Sequence, residues 1–117
     1  MNIEELFIRK LAASIPTFGP GSRTKGCIAH IKKELAEVEA AGNPRDMEKE
    51  WVDVFLLAMD GLLRSVMHRD ITSNPKDYDF TAKVALSLIM DKIRVNEARE
   101  WPDYRKKLDS EAIEHDR

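Results

Sequence analysis

Apolar residues recur along this chain at spacings of three and four, the repeat of one face of a helix. Ile3, Leu6, Phe7 and Leu11 form the first such stripe, which predicts a helix from about Asn2, as its N-cap, to Ala13. The stretch Ser14 to Gly21 (SIPTFGPG) holds two prolines and two glycines and reads as a shaped loop. A second helix is predicted over about Arg23 to Ala41, capped by Ser22 or Thr24. It buries Ile28, Ile31, Leu35 and Val38 and stops at Gly42, ahead of Asn43-Pro44. A third runs from about Arg45 to Met67. Its centre, Val54 to Met59, is apolar on every side, so it is either the central helix or one covered by a second subunit. Arg69 to Pro75 (RDITSNP) reads as a loop whose end, Asn74-Pro75, is an N-cap followed by proline at N1. The fourth helix follows Val84, Leu88, Asp91/Lys92 and Val95 to about Arg99 and is broken by Trp101-Pro102. A short helical turn and a polar tail, frayed over 110–117, complete the chain. Nothing alternates with period two over a strand length. The expected fold is all-α and four-helix-bundle-like, one domain over 1–117.

Composition narrows the class of function. The chain has 117 residues, 19 basic against 21 acidic, for a net charge of −2. That balance excludes the broad basic face that binds duplex nucleic acid. Val54 to Met59 is the longest strictly apolar run, too short for a bilayer, and the N-terminal turns carry charges rather than a signal-peptide core. A lone cysteine, Cys27, suits a reducing compartment, so the expected location is cytoplasmic.

The acids carry the candidate chemistry. Glu34 and Glu37 are three apart on the second helix, and Glu50 and Asp53 three apart on the third, so each pair shares a helix face. The short Gly42-Asn43-Pro44 turn makes the two helices antiparallel neighbours, which sets the pairs opposite each other. Converging carboxylates repel. Either some take up a proton or a hard divalent cation such as Mg²⁺ or Mn²⁺ sits among them. The bland alternative is a pair of solvated helix faces. On the fourth helix Lys92, Asn96 and Arg99, spaced four and three, make a stripe of ammonium, amide and guanidinium that suits phosphate oxygens, or else an ordinary solvated face.

Together these residues resemble a known family. Glu34-x-x-Glu37 followed by Glu50-x-x-Asp53 is similar to the signature of the all-α nucleoside triphosphate pyrophosphohydrolases, the MazG-like and dimeric dUTPase superfamily. The blocks FGPGSRTKGCIAHIKKELAEVEA (Phe18 to Ala40), EWVDVFLLAMDGLLR (Glu50 to Arg64), NEAREWPDYR (Asn96 to Arg105) and AIEH (Ala112 to His115) resemble the phage and prophage dATP/dGTP pyrophosphohydrolases. The resemblance implies a MazG-type fold and conversion of a deoxynucleoside triphosphate to monophosphate and pyrophosphate with Mg²⁺, or Mn²⁺. It implies Glu34, Glu37, Glu50 and Asp53 as metal ligands, Glu37 or Glu50 as the catalytic carboxylate, and Lys92, Asn96 and Arg99 as phosphate-holding residues. Asp60, in the family's DG block, is implied as an outer-shell residue. Homodimers or homotetramers with sites shared between chains are implied as well. The alternatives are dUTP or general NTP specificity, or a non-catalytic helical module.

Other candidates have two readings each. Arg23, in the glycine-rich stretch Gly19 to Gly26 before the second helix, either contacts substrate phosphate or belongs to a structural turn. His30, one turn before Glu34, either meets a carboxylate or the nucleotide, or is a surface histidine. Trp51 and Trp101 either stack on a base or pack in a core or interface. Met47, Met59, Met67 and Met90 read as core filler.

Overall fold

The computed structural model describes residues 1–69 and 74–114. Its elements in order are α1 (Ile3–Phe18), α2 (Thr24–Ala40), α3 (Pro44–Arg69), a 3₁₀ turn (Pro75–Asp77), α4 (Tyr78–Glu97) and a second 3₁₀ turn (Tyr104–Lys106). No strand occurs among the described residues, so the fold is all-α. Four residues of the expected loop, Asp70 to Ser73, and the last three of the expected tail lie outside the described residues.

Each helix end has a local cause. The Asn2 side chain accepts from Glu5 N–H at 2.9 Å and caps α1. The helix then runs five residues beyond the expected Ala13 and carries Pro16 within it. Proline removes one backbone donor, but the neighbouring turns are held: Thr17 Oγ1 donates to Ala13 O at 2.8 Å and Gly19 N–H to Ile15 O at 2.9 Å. Gly19 (φ 86°) and Gly21 (φ 96°) then turn the chain in the left-handed region that glycine tolerates. Neither Ser22 nor Thr24 caps α2. Its N-cap is Arg23, itself left-handed at φ 46° and making no side-chain cap bond. The α2–α3 turn is as short as expected, and Asn43 Oδ1 accepts from Asp46 N–H at 2.9 Å as α3 begins. Asn74 accepts from Lys76 N–H at 3.1 Å, but the turn it caps is 3₁₀, and α4 proper starts at Tyr78.

Contacts group the chain into two compact units, Met1–Leu86 and Ser87–Arg117. In the first, α3 packs against both α1 and α2. The core is built from Phe7 and Leu11 of α1, Met59, Leu63, Val66 and Met67 of α3, and Tyr78, Ala82 and Ala85 of α4, with Val38 as the buried residue of α2. The expected α2 stripe is therefore only partly buried, since Ile28 and Leu35 are exposed. So is Phe55, at 55 %, in the α3 centre expected to be covered all round. Met59 and Met67 fill the core, whereas Met47 and Met90 are exposed. The second unit begins with the last turns of α4, which ends at Glu97, two residues short of the expected Arg99. There Trp101 Nε1 donates to Asn96 O at 3.0 Å, and Asp103 caps the second 3₁₀ turn by accepting from Arg105 N–H at 3.0 Å.

No helix among the described residues is long and apolar enough to cross a membrane.

Candidate metal centre

The short turn after Ala41 folds α3 back along α2, and this brings acids from both helices together. One carboxylate oxygen from each of Glu34, Glu50 and Asp53 lies within 4.8 Å of the others. The Glu34 side chain is only 12 % exposed. Its Oε2 and the Oε2 of Glu50 are buried without a hydrogen-bond partner. Buried oxygens without partners are costly unless something donates to them or coordinates them. A hard divalent cation fits this set, three carboxylates and no softer donor.

Glu37 is outside that trio but touches it electrically. Hydrogen bonding with Glu34, then with Glu50, holds Glu37 below its ordinary value. The same bond to Glu37, then burial, then the charge of Glu37 raise Glu34. Glu50 is pushed up to about 7, first by its bond to Glu37, then by burial and by the Glu37 charge. Glu50 is thus the acid of the cluster that takes up a proton near neutral pH when no cation neutralises it.

This has a measurable consequence for stability. A carboxyl raised from 4.5 to about 7 favours folding while protonated. Its contribution is complete below pH 4.5 and is lost as pH rises through about 7. Glu34 acts with the same sign and Glu37 with the opposite one. In chelator, the urea midpoint of the wild type minus that of Glu50→Gln is therefore expected to fall between pH 4.5 and about 7. A pH-independent difference would contradict the assignment.

Two openings flank the acids along the α2–α3 pair. One, a cleft of about 330 Å³, is lined by Glu37, Ala41, Gly42, Asp46, Lys49 and Glu50 at the helix turn. The other lies toward α1 and includes His30, Arg23 and Asp60 in its lining. His30 Nε2 is 3.5 Å from Glu34 Oε1, so His30 does meet a carboxylate of the trio. Asp60 is buried and is bonded by Arg64 Nε at 2.9 Å through Oδ2. Trp51 is 52 % exposed rather than core.

The cationic stripe belongs to the second unit. Lys92 is exposed on α4, and Arg99 lies past the helix end, where its Nη1 donates to Asn96 Oδ1 at 3.1 Å.

The residue the sequence pattern missed is Arg64. It is 1 % exposed and donates to Asp60, to Ser14 O and Oγ, and to the carbonyls of Gly19 and Gly21, over 2.7–3.1 Å. The available signal was an Asp-Arg pair at i,i+4 inside the apolar stretch MDGLLRSVM.

A model of the family described as dATP/dGTP pyrophosphohydrolase matches residues 8–117. No curated protein and no solved structure matches the chain. The family match spans both acid pairs and nearly the whole sequence, and the carboxylate trio gives it a chemical basis. The chain belongs to the dATP/dGTP pyrophosphohydrolase family and is a hydrolase of acid anhydrides.

Proposed function

We propose that this protein is a Mg²⁺-dependent enzyme that splits dATP or dGTP into the deoxynucleoside monophosphate and pyrophosphate. The observation that carries the reading is the trio of Glu34, Glu50 and Asp53 oxygens within 4.8 Å, two of the residues keeping a buried oxygen without a partner. These three residues would hold the cation, with Glu37 beside them completing the acidic set. A bound Mg²⁺ supplies charge neutralisation at the phosphates and acidifies a coordinated water.

The remaining chemistry falls to side chains. Hydrolysis adds water across the bond between the α- and β-phosphates, and the attacking water must lose a proton. Glu37, outside the trio, is the carboxylate left to take it, while Glu50 holds its place among the ligands. Lys92, Asn96 and Arg99 are assigned to phosphate oxygens, where fixed cations and amide donors stabilise the charge gathering on pyrophosphate. His30 orients Glu34, and Arg23, exposed in the lining beside it, is assigned to the substrate.

Assembly into a homodimer or homotetramer belongs to the same reading. It is supported by Trp51, Val52 and Phe55, consecutive or one turn apart on α3 and each more than half exposed in the single chain.

The reading is tested by titrating the chelated protein with Mg²⁺ or Mn²⁺ while following thermal stability. Either ion is expected to raise the melting temperature at pH 7.5, and Glu34→Gln, Glu50→Gln and Asp53→Asn to blunt the rise. An unchanged melting temperature together with no nucleotide turnover would favour a non-catalytic helical module.

A further inference from the structure

The small opening between α1 and the α2–α3 pair has a chemistry that the metal centre does not use. Phe18, Leu57 and Cys27 give it apolar walls, and Asp60 is part of its lining. Asp60 is 7 % exposed, and its two oxygens differ. Oδ2 is taken by Arg64 Nε at 2.9 Å, whereas Oδ1 is buried without a partner. The neighbouring donors do not bond it: the Cys27 thiol donates to Leu57 O at 3.2 Å, and neither Lys10 nor Arg23, also in the lining, supplies Oδ1 with a bond. A carboxylate paired with a guanidinium is acceptor-only, so Oδ1 calls for an N–H or O–H from outside the chain.

Position says what could bring that donor. Asp60 lies seven residues beyond Asp53 on α3, about 10 Å along the axis. On α2 the opening is tied to the acids by His30, whose Nε2 is 3.5 Å from Glu34 Oε1. A nucleotide with its phosphates at the acids can reach this opening with its base. At about 60 Å³ the opening admits the edge of a ring rather than the whole of it. Adenine and guanine each carry an exocyclic amino donor on the Watson–Crick edge, at C6 in adenine and at C2 in guanine, so the two bases turn different ends of that edge toward Oδ1. Phe18, 48 % exposed, offers a face for the rest of the ring.

We propose that Asp60 is a specificity residue: its Oδ1 accepts a hydrogen bond from the amino edge of the purine, with Arg64 fixing the carboxylate and Phe18 supporting the base. This rests on the reading of the acids as the phosphate end of a nucleotide site.

The test compares kcat/KM for dATP with that for the 5′-triphosphate of unsubstituted purine deoxyriboside, which lacks only the amino group. The wild type is expected to prefer dATP by about ten- to a hundredfold, the range for a hydrogen bond to a charged acceptor. In Asp60→Asn the side-chain oxygen stays with Arg64, the amide NH₂ replaces Oδ1, and the preference collapses toward unity. Phe18→Ala, at an exposed position that does not threaten the fold, is expected to raise KM about tenfold or more for both substrates. A wild type that does not distinguish the two substrates overturns the proposal, as does a folded Asp60→Asn that keeps the preference. If Asp60→Asn does not fold, an unchanged KM in Phe18→Ala overturns it. A wild type that hydrolyses neither substrate instead removes the pyrophosphohydrolase reading on which the proposal stands.

Discussion

Glutamine in place of Glu50 or of Glu37 is expected to lower kcat by about 10²–10⁴-fold, the range for losing a positioned proton acceptor or its equivalent. The two variants should differ in everything else. Glu50 belongs to the oxygen trio and keeps a buried oxygen without a partner, so Glu50→Gln removes a ligand and weakens Mg²⁺ binding. Glu37 lies outside the trio, so Glu37→Gln lowers metal affinity less than Glu50→Gln does. The measurement is kcat at saturating Mg²⁺ alongside metal affinity from calorimetry. A Glu37→Gln enzyme with near-wild-type kcat would end the assignment of Glu37 as the proton acceptor. A Glu50→Gln enzyme with unchanged Mg²⁺ affinity would remove Glu50 from the ligand set.

The second large effect is on stability. Arg64 is the buried hub of the first unit, and alanine there is expected to cost about 3–5 kcal/mol. The loss is more than one ion pair. It leaves Asp60, 7 % exposed, without the Arg64 bond. It also strips donors from Ser14, Gly19 and Gly21, the residues that carry the chain from the end of α1 toward α2. Set against a total stability of roughly 5–15 kcal/mol for a domain, this unfolds a sizeable fraction of the molecules. Arg64→Lys keeps the charge but lacks the planar fork, so it should recover only part of the loss. Urea denaturation of the three proteins checks this, and an Arg64→Ala midpoint equal to that of the wild type would contradict it.

Glu37 and Arg64 also mark how far the sequence could be read. Glu34, Glu37, Glu50 and Asp53 were legible because i,i+3 pairs share a face and because a three-residue turn leaves consecutive helices little choice but to pack together. Which carboxylate stands outside the trio was not legible. It depends on side-chain rotamers and on how two helices cross, neither of which spacing records. Arg64 was hidden for a related reason. Its partners Ser14, Gly19 and Gly21 lie 43 to 50 residues away, and no local rule joins them to it. The same distant contact accounts for the misplaced end of α1. Proline at 16 argues locally for a stop, yet Ser14 is clamped by Arg64 and the helix continues to Phe18. At the start of α2 the expected Ser or Thr cap gave way to a left-handed Arg23, because Gly21 and Arg23 together make the turn. The exposure of Ile28, Leu35 and Phe55 is what apolar periodicity leaves undecided, since a stripe facing a core and one facing a partner have the same spacing.

The most direct test of the central claim is the product of dATP hydrolysis by the purified protein in Mg²⁺. Chromatography of the nucleotide and separate assays for pyrophosphate and orthophosphate are sufficient. The account predicts dAMP and pyrophosphate in equal amounts, with no signal in chelator. Orthophosphate with dADP, or no turnover of either purine triphosphate, would contradict it.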